Sequence, residues 1–140
     1  MNKQRAVFIF ALALAFVALG CGSSVKLTSV HGKIIQGGKA FNKGGTVVFH
    51  PDKKKGNDTP QPPTAELTES GEFTLKTQDR EGAPLGWYKV TIASHVPPGK
   101  DPYAIPKSYV DKMYATPETT PVFIEVKEGQ GPDAYEIRIP

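Results

Sequence analysis

Short runs of alternating apolar and polar residues, separated by glycine and proline, fill the sequence from residue 25 onward. Alternation with a period of two places every second side chain on the same face of a strand. Beyond residue 20, no window of 11 residues is free of both glycine and proline, which disfavours any long helix there. The 14 glycines and 13 prolines therefore favour a turn-rich, all-β chain. The clearest strand candidates are 46–50 (TVVFH), 72–77 (EFTLKT), 86–94 (GWYKVTIAS) and 134–139 (AYEIRI).

The number of these runs predicts two packed sheets. About seven strands follow the first 24 residues, and one sheet of that size would expose an apolar face. Two sheets packed face to face bury the alternating residues, so we predict a β-sandwich. The predicted core consists of Val47, Phe49, Phe73, Leu75, Tyr88, Val90, Ile92, Ile124, Val126, Ile137 and Ile139.

Residues 1–20 have the pattern of a secretory signal peptide. Lys3 and Arg5 precede 15 uncharged residues, AVFIFALALAFVALG. As a helix this run measures about 22 Å, which is short for a hydrocarbon core of about 30 Å. A basic start, a short apolar run and small residues at its end are typical of an export signal. We therefore predict an N-terminal signal helix that is removed from the mature protein.

The lone cysteine of the chain, Cys21, follows this run directly. Residues 17–21, VALGC, resemble the lipobox of bacterial lipoproteins, although the lipobox more often has Leu where Ala18 stands. The resemblance implies cleavage after Gly20, a diacylglycerol on the Cys21 sulfur and an acyl group such as palmitate on its amine. We expect this covalent lipid and no other cofactor.

The implied anchor divides the chain into a signal peptide over 1–20, a lipidated cysteine with a short tether over 21–24, and a β-sandwich domain over 25–140. Several buried acyl chains hold a protein firmly at a membrane without a span. The resemblance places the protein in the bacterial cell envelope. Gly22, which is not Asp, favours the outer membrane over the inner one.

Charge and motif composition disfavour several functions. The formal charge of +3 falls to about +1 without residues 1–20, too little to indicate a nucleic-acid partner. The three histidines, His31, His50 and His95, share no ligand spacing, and His31 and His50 both alternate away from the predicted core. Three lysines at 53–55 would repel a calcium ion from Asp52, Asn57 and Asp58. They are also fewer than the four to eight basic residues expected of an anionic-lipid site. We predict no metal site.

The catalytic motifs that we sought are absent from the sequence. It contains no G-x-S-x-G nucleophile elbow and no P-loop, and its acidic residues form no recognisable general acid–base pair. We therefore predict a protein that is not an enzyme and has no catalytic residues. The alternative is an accessory hydrolase or a carbohydrate-binding protein that uses loop residues.

Four short motifs occur in a familiar order: 32–34 (GKI), 44–49 (GGTVVF), 70–75 (SGEFTL) and 86–92 (GWYKVTI). Together they resemble the carboxypeptidase regulatory-like, or transthyretin-like (prealbumin-like), β-sandwich of small bacterial envelope lipoproteins. The resemblance implies a Greek-key sandwich that acts as a non-catalytic binding or structural module. Hydroxyisourate hydrolases of this fold end in Tyr-Arg-Gly-Ser, whereas this chain ends YEIRIP.

The Pro-rich segment 95–121 is the best candidate in the sequence for a partner-facing surface. Its six prolines reduce the entropy lost on ordering, and its three tyrosines offer large contacts with few torsions. We expect another envelope protein or a glycan as the partner. A lid packed over an open edge of the sandwich is the alternative, and residues 106–113 are expected to form one or two helical turns. The candidate contact residues are Trp87, Tyr103, Tyr109 and Tyr114.

Overall fold

The computed structural model describes residues 24–95, 103, 105, 107–131 and 134–140. The signal peptide and Cys21 predicted from the sequence lie outside these residues. No helix within the described ranges is long and apolar enough to cross a bilayer. Within the described residues, 3-10 turns are formed by Lys53–Lys55 and Lys112–Tyr114. The strands are β1 (His31–Gln36), β2 (Lys39–Ala40), β3 (Gly45–Pro51), β4 (Thr64–Leu67), β5 (Glu72–Thr74), β6 (Lys76–Thr77), β7 (Arg80–Glu81), β8 (Gly86–Ala93), β9 (Phe123–Val126) and β10 (Tyr135–Ile139).

The strands form two sheets, which confirms the predicted all-β class. The smaller sheet has the order β10-β1-β2, and β5 also pairs with β1. The larger sheet has the order β7-β6-β4-β3-β8-β9. β1 runs parallel to β10 with Ile34 opposite Ile137, whereas β3 and β8 are antiparallel with Phe49 opposite Val90.

The described residues contain ten strands rather than about seven, partly because one predicted strand divides between the sheets. The run 72–77 becomes β5, which pairs with β1, and β6, which pairs with β4. Leu75 lies between them, is fully buried, and donates its backbone N–H to Val30 O at 3.0 Å. The chain thus crosses from one sheet to the other at Leu75. The alternation of apolar and polar residues continues through this crossing, so the sequence predicts a single strand.

The core lies between the two sheets. The Phe49 ring on β3 of the larger sheet packs against Phe73 on β5 of the smaller sheet, with centroids 6.1 Å apart. Ten of the eleven predicted core residues are buried, and Ile124 is half-buried against the same cluster. Sequence reasoning missed Tyr135 within the alternating run 134–139, and it missed eight core residues outside the clearest runs: Val30, Ile34, Phe41, Ala65, Leu67, Ala83, Val110 and Tyr114.

The segment 51–63 is polar and Pro-rich, which is typical of an exposed loop, but parts of it are buried. Its lysines are exposed, but Asp52 and Asn57 are buried and hydrogen-bonded to backbone groups. Pro63 is also buried. The polar composition does not indicate this order. In the fold, the Asp52 carboxylate and the Asn57 amide replace water as hydrogen-bond partners of the backbone.

The second half of the Pro-rich segment packs onto the larger sheet. Val110 and Tyr114 are buried, and the Thr120 hydroxyl donates to Val90 O at 2.6 Å. The expected helical turns over 106–113 reduce to one 3-10 turn, Lys112–Tyr114, whose N-cap is Asp111. Pro106 and residues 96–102 lie outside the described ranges. For residues 107–121 the packing is that of the lid alternative.

Candidate functional site

The chain enters the fold at one end of the sandwich, which we call the tether end. Ser24, the first described residue, is exposed, and Val25 O accepts a hydrogen bond from the Arg80 guanidinium at 3.0 Å. The registers place Pro51 opposite Tyr88 and Gly86 opposite Val126 at this end. The tether end therefore comprises residues 24–26, 52–63, 78–79, 84–86 and 127–131. The opposite end carries the turns at 37–38, 42–45 and 68–71.

A cavity of about 560 Å³ opens at the tether end. This volume lies within the range of about 300–1,000 Å³ that is usual for small-molecule sites. Val25, Leu27, Pro60 and Pro84 supply its apolar wall. Its polar lining residues include Asp58, Thr59, Gln61, Gln78 and Arg80.

The polar groups of this cavity can both donate hydrogen bonds to a ligand and accept them from it. Gln61 and Gln78 each carry an amide that donates and accepts, while Asp58 accepts and Arg80 donates. Gln78 has a φ of +56°, in the left-handed region that side chains rarely adopt. It forms the tip of the β6–β7 hairpin, so the tight turn sets the position of this amide at the cavity wall.

A second feature, the lysine–aromatic surface, lies beside the tether end on the outer face of the larger sheet. The Lys55 ammonium lies 3.7 Å from the Trp87 ring centroid and 5.0 Å from that of Phe123. Lys89, two residues after Trp87 on β8, lies 5.8 Å from the Phe123 ring. The surface consists of Lys53, Lys54, Lys55, Trp87, Lys89 and Phe123.

Two buried polar side chains fix the loop that carries the three consecutive lysines. Asp52 Oδ1 accepts the Lys54 backbone N–H at 3.1 Å and caps the 3-10 turn. Asn57 Nδ2 donates to Trp87 O at 2.9 Å, and the Asp52 backbone N–H donates to the same oxygen. Gly86, with φ of +138°, packs against Asn57, since a Cβ there would lie 3.0 Å from Asn57 Nδ2. The lysines therefore project from a rigid loop.

The structure separates the four residues predicted to face a partner. Trp87 is half-buried beneath Lys55 at the tether end, whereas Tyr109 lies near the opposite end, half-buried, with the Lys43 ammonium 5.4 Å from its ring centroid. Tyr103 is 92% exposed. Tyr114 is 6% exposed and belongs to the core, so its side chain is not available to a partner.

His31 lies in the smaller sheet and His50 in the larger sheet, while His95 follows β8 outside the strands. His31 on β1 contacts the hydroxyls of Ser29 and Thr74, and His50 on β3 contacts that of Thr91 at 2.9 Å. Burial lowers the pKa of His50, and the Glu118 carboxylate partly opposes this effect. In the part of the chain that the structure describes, no group of three or more His, Cys, Asp or Glu residues is arranged to hold a metal ion.

Asp52, Asn57 and Asp58, the oxygen-bearing side chains near the lysines at 53–55, have roles other than calcium binding. Asp52 and Asn57 bind backbone groups, while Asp58, immediately after Asn57, lines the large cavity. Sequence reasoning missed Lys89 and Phe123 as neighbours of the 53–55 lysines, because the pairing of β9 with β8 is a tertiary feature. Besides the run of lysines at 53–55, the sequence signal for this surface was the spacing of Trp87 and Lys89 on one strand face.

Comparisons of this chain with protein-family models, with curated proteins and with solved structures gave no significant match. The cavity and the lysine–aromatic surface are therefore the features on which a function can be built. Both lie at or beside the end of the fold from which the chain leads back toward Cys21.

Proposed function

We propose that this protein is a lipoprotein of the bacterial cell envelope, anchored by acyl chains on Cys21 and carrying one non-enzymatic binding domain. The observation that carries the proposal is the position of Ser24, which is exposed at the tether end three residues after Cys21. Three extended residues span at most about 11 Å. A lipid on Cys21 would therefore hold the tether end close to the membrane surface.

The sequence before Ser24 supports the same anchor. A basic start, 15 uncharged residues and the lipobox-like VALGC precede the domain, and Cys21 is the single cysteine of the chain. Gly22 after this cysteine favours the outer membrane. The two face-packed sheets and the turn motifs described above support a Greek-key sandwich of the transthyretin-like, carboxypeptidase regulatory-like type.

The cavity supports a binding role for the domain. Its size suits a small ligand or one or two units of a larger one, and its amides suit hydroxyl groups. We propose an envelope glycan as the ligand, with contact to another envelope protein through the exposed Tyr103 region as the second candidate. Among the described residues that line the cavity, Asp58 is the one carboxylate, and the hydrolase alternative would depend on it.

The anchor is tested by Cys21→Ser in the producing bacterium. We expect this variant to remain unprocessed, because the serine hydroxyl does not replace the thiolate that takes the lipid. Ser23→Ala is the matched control and should be processed normally. Mass spectrometry of the wild-type protein should show an acylated N-terminal peptide beginning at residue 21. An unmodified Cys21 in the membrane fraction would contradict the proposal.

The cavity is tested by titration with soluble cell-wall glycan fragments, followed by chemical shifts or calorimetry. Gln61→Ala should weaken binding, whereas Gln130→Ala, at the exposed turn 127–131, should not. Release of products that Asp58→Asn abolishes would support the hydrolase alternative. Absence of any binding would contradict the glycan proposal and favour a structural module.

A further inference from the structure

We infer that the lysine–aromatic surface docks on anionic lipid headgroups and so orients the domain on the membrane that anchors it. This inference rests on the proposed lipid at Cys21. The lysines at 53–55 alone were too few for such a site, but the fold adds Lys89 from β8. Lys55 and Lys89 lie over the aromatic rings, and Lys53 and Lys54 line a small cleft together with Lys89, so three separate segments bring four ammonium groups to one surface.

Charge at this surface favours an anionic partner. Lys53 and Lys54 are exposed and form no ion pair with the described carboxylates, so both ammonium groups are available to phosphate. Of the nearby acids, Asp52 is buried as the cap of the lysine turn, and Glu125 is paired with Lys127 at 2.7 Å. Glu118 is the remaining carboxylate and lines a small cleft with Lys53, Lys54 and Lys89. With Lys127 added, the four lysines of this surface bring five ammonium groups near these three carboxylates.

The apolar part of the surface suits the boundary between headgroups and acyl chains. Phe123 is 44% exposed, and Leu85, immediately before β8, is 46% exposed. Aromatic rings are enriched at the membrane interface, where their apolar faces and polar edges are both accommodated. The Lys55 ammonium lies over the Trp87 ring in a cation–π contact, so a positive charge and an aromatic face occupy the same place on this surface.

The short tether allows this surface to dock on the membrane even if its own affinity for lipid is low. Cys21 is within about 11 Å of Ser24, so an anchored domain cannot move its tether end far from the headgroups. Tethering raises the effective concentration of the second contact, which then needs little affinity of its own. The rigid 52–59 loop also reduces the conformational entropy lost on docking. The lysines at 53–55 and the cavity residues at 58–61 lie on separate stretches of the chain. Docking through the lysines therefore leaves the cavity open to a ligand.

The single tryptophan of the chain, Trp87, reports on this contact directly. The lipidated protein is reconstituted into vesicles of phosphatidylcholine, with or without phosphatidylglycerol, that include a brominated phosphatidylcholine as quencher. We expect stronger quenching of Trp87 fluorescence when phosphatidylglycerol is present. High salt should reverse the difference, since it screens exposed charges.

The variant Lys53→Gln/Lys54→Gln removes two charges without changing Lys55, which contacts the reporter. Each lysine near an anionic surface contributes about fivefold, so the docking equilibrium should fall about 30-fold. Lys39→Gln/Lys43→Gln removes two exposed lysines at the opposite end and should leave quenching unchanged. Thermal unfolding of both variants is measured to verify that the fold is intact.

The outcomes distinguish this inference from the proposed anchor. Failure of the wild-type protein to float with neutral vesicles overturns the anchor and, with it, the inference. Normal flotation with equal quenching in neutral and anionic vesicles overturns the inference alone. Equal loss of quenching in the two double variants also overturns it, because general charge and not this surface would then govern the contact.

Discussion

Phe73 is the side chain that most directly joins the two sheets. Its ring packs against Phe49 across the core, and Gly32 lies opposite it on β1. A Cβ at Gly32 would lie 2.4 Å from Phe73 Cζ, so the ring fills space that a glycine leaves open. The contact depends on three strands from distant parts of the chain.

Phe73→Ala should lower the free energy of unfolding by about 3–5 kcal/mol, through lost transfer energy and the cavity left behind. Phe73 is 2% exposed, so little of its surface is in water before the substitution. Urea denaturation measures the change, with exposed Lys76→Ala as the control on the adjoining strand. A shift of the midpoint no larger than that of the control would show that the ring does not stabilise the core.

A single residue, His50, makes the free energy of unfolding depend on pH. Burial lowers its pKa below the ordinary 6.5, so the folded state binds fewer protons than the unfolded state in that range. The stability from neutral His50 is present above about pH 6.5 and is lost as the pH falls toward its lowered folded pKa. His50→Gln should reduce the loss of stability between about pH 7.5 and about pH 5, measured by urea denaturation. Identical pH profiles for the two proteins would contradict this assignment.

The loop 52–59 shows how an element without regular strands is held in one conformation. Asp52 caps the lysine turn, Asn57 binds the β8 backbone, and the Thr59 hydroxyl donates to Asn57 Oδ1 at 2.6 Å. Gly56 ends the turn with φ of +80°. These bonds replace solvent around an otherwise polar segment, which explains its order despite few apolar contacts.

Gly86→Ala should destabilise this loop, because φ of +138° is strained for a side chain and the new Cβ would press on Asn57. A cost of about 1–3 kcal/mol is expected from backbone strain of this kind. Gly131→Ala is the control, since no atom lies within 4 Å of its added Cβ and its φ is not positive. Hydrogen exchange of the 52–59 amides should rise in the first variant and not in the second. Unchanged exchange in both would mean that Asn57 does not hold the loop.

The segment 107–121 behaves as a packed element of the larger sheet. Asp111 Oδ1 accepts the Met113 N–H at 2.9 Å and starts the turn that directs Tyr114 inward. Met113 on the same turn is 42% exposed. Two adjacent residues of one turn therefore differ in burial: Tyr114 belongs to the core, whereas Met113 faces solvent.

Tyr114→Ser should lower the free energy of unfolding by about 3 kcal/mol, as for other buried aromatic truncations, whereas Met113→Ser should change it by less than about 1 kcal/mol. Thermal unfolding of both variants measures the difference. Crosslinking in intact envelopes is measured on the same proteins and on Tyr103→Ser. Lost crosslinks in Tyr114→Ser at unchanged stability would restore Tyr114 as a contact residue and contradict its place in the core.

At the scale of the molecule, one core is shared by two sheets. Residues from both sheets form a single buried cluster, and β1 and β10 join the beginning and end of the described domain in parallel. Neither sheet can bury its apolar face without the other. Unfolding of one sheet should therefore expose the core of both.

We expect a single cooperative unfolding transition. Trp87 fluorescence reports on the larger sheet, far-ultraviolet circular dichroism on all strands, and amide exchange at Ile34 on the smaller sheet. The three probes should give one midpoint in urea. A separate, earlier transition at Ile34 would show that the smaller sheet unfolds independently.

Sequence alone determined the parts of this protein that depend on local chemistry. Alternation located the strands and ten of the eleven predicted core residues, because side-chain direction in a strand depends only on position along it. The apolar segment and VALGC before Ser24 likewise predict export and lipidation from adjacent residues. None of these inferences requires knowledge of which strands pair.

Only the tertiary structure decided which distant residues meet. The crossing at Leu75, the burial of Tyr114 and the approach of Lys55 to Trp87 and Phe123 depend on strand order and register. Local periodicity is the same whichever strand lies alongside, so no pattern in the sequence fixes the pairing. The candidate sites arise from that pairing, because the cavity and the lysine–aromatic surface are each built from segments that are far apart in the chain and meet only in the folded state.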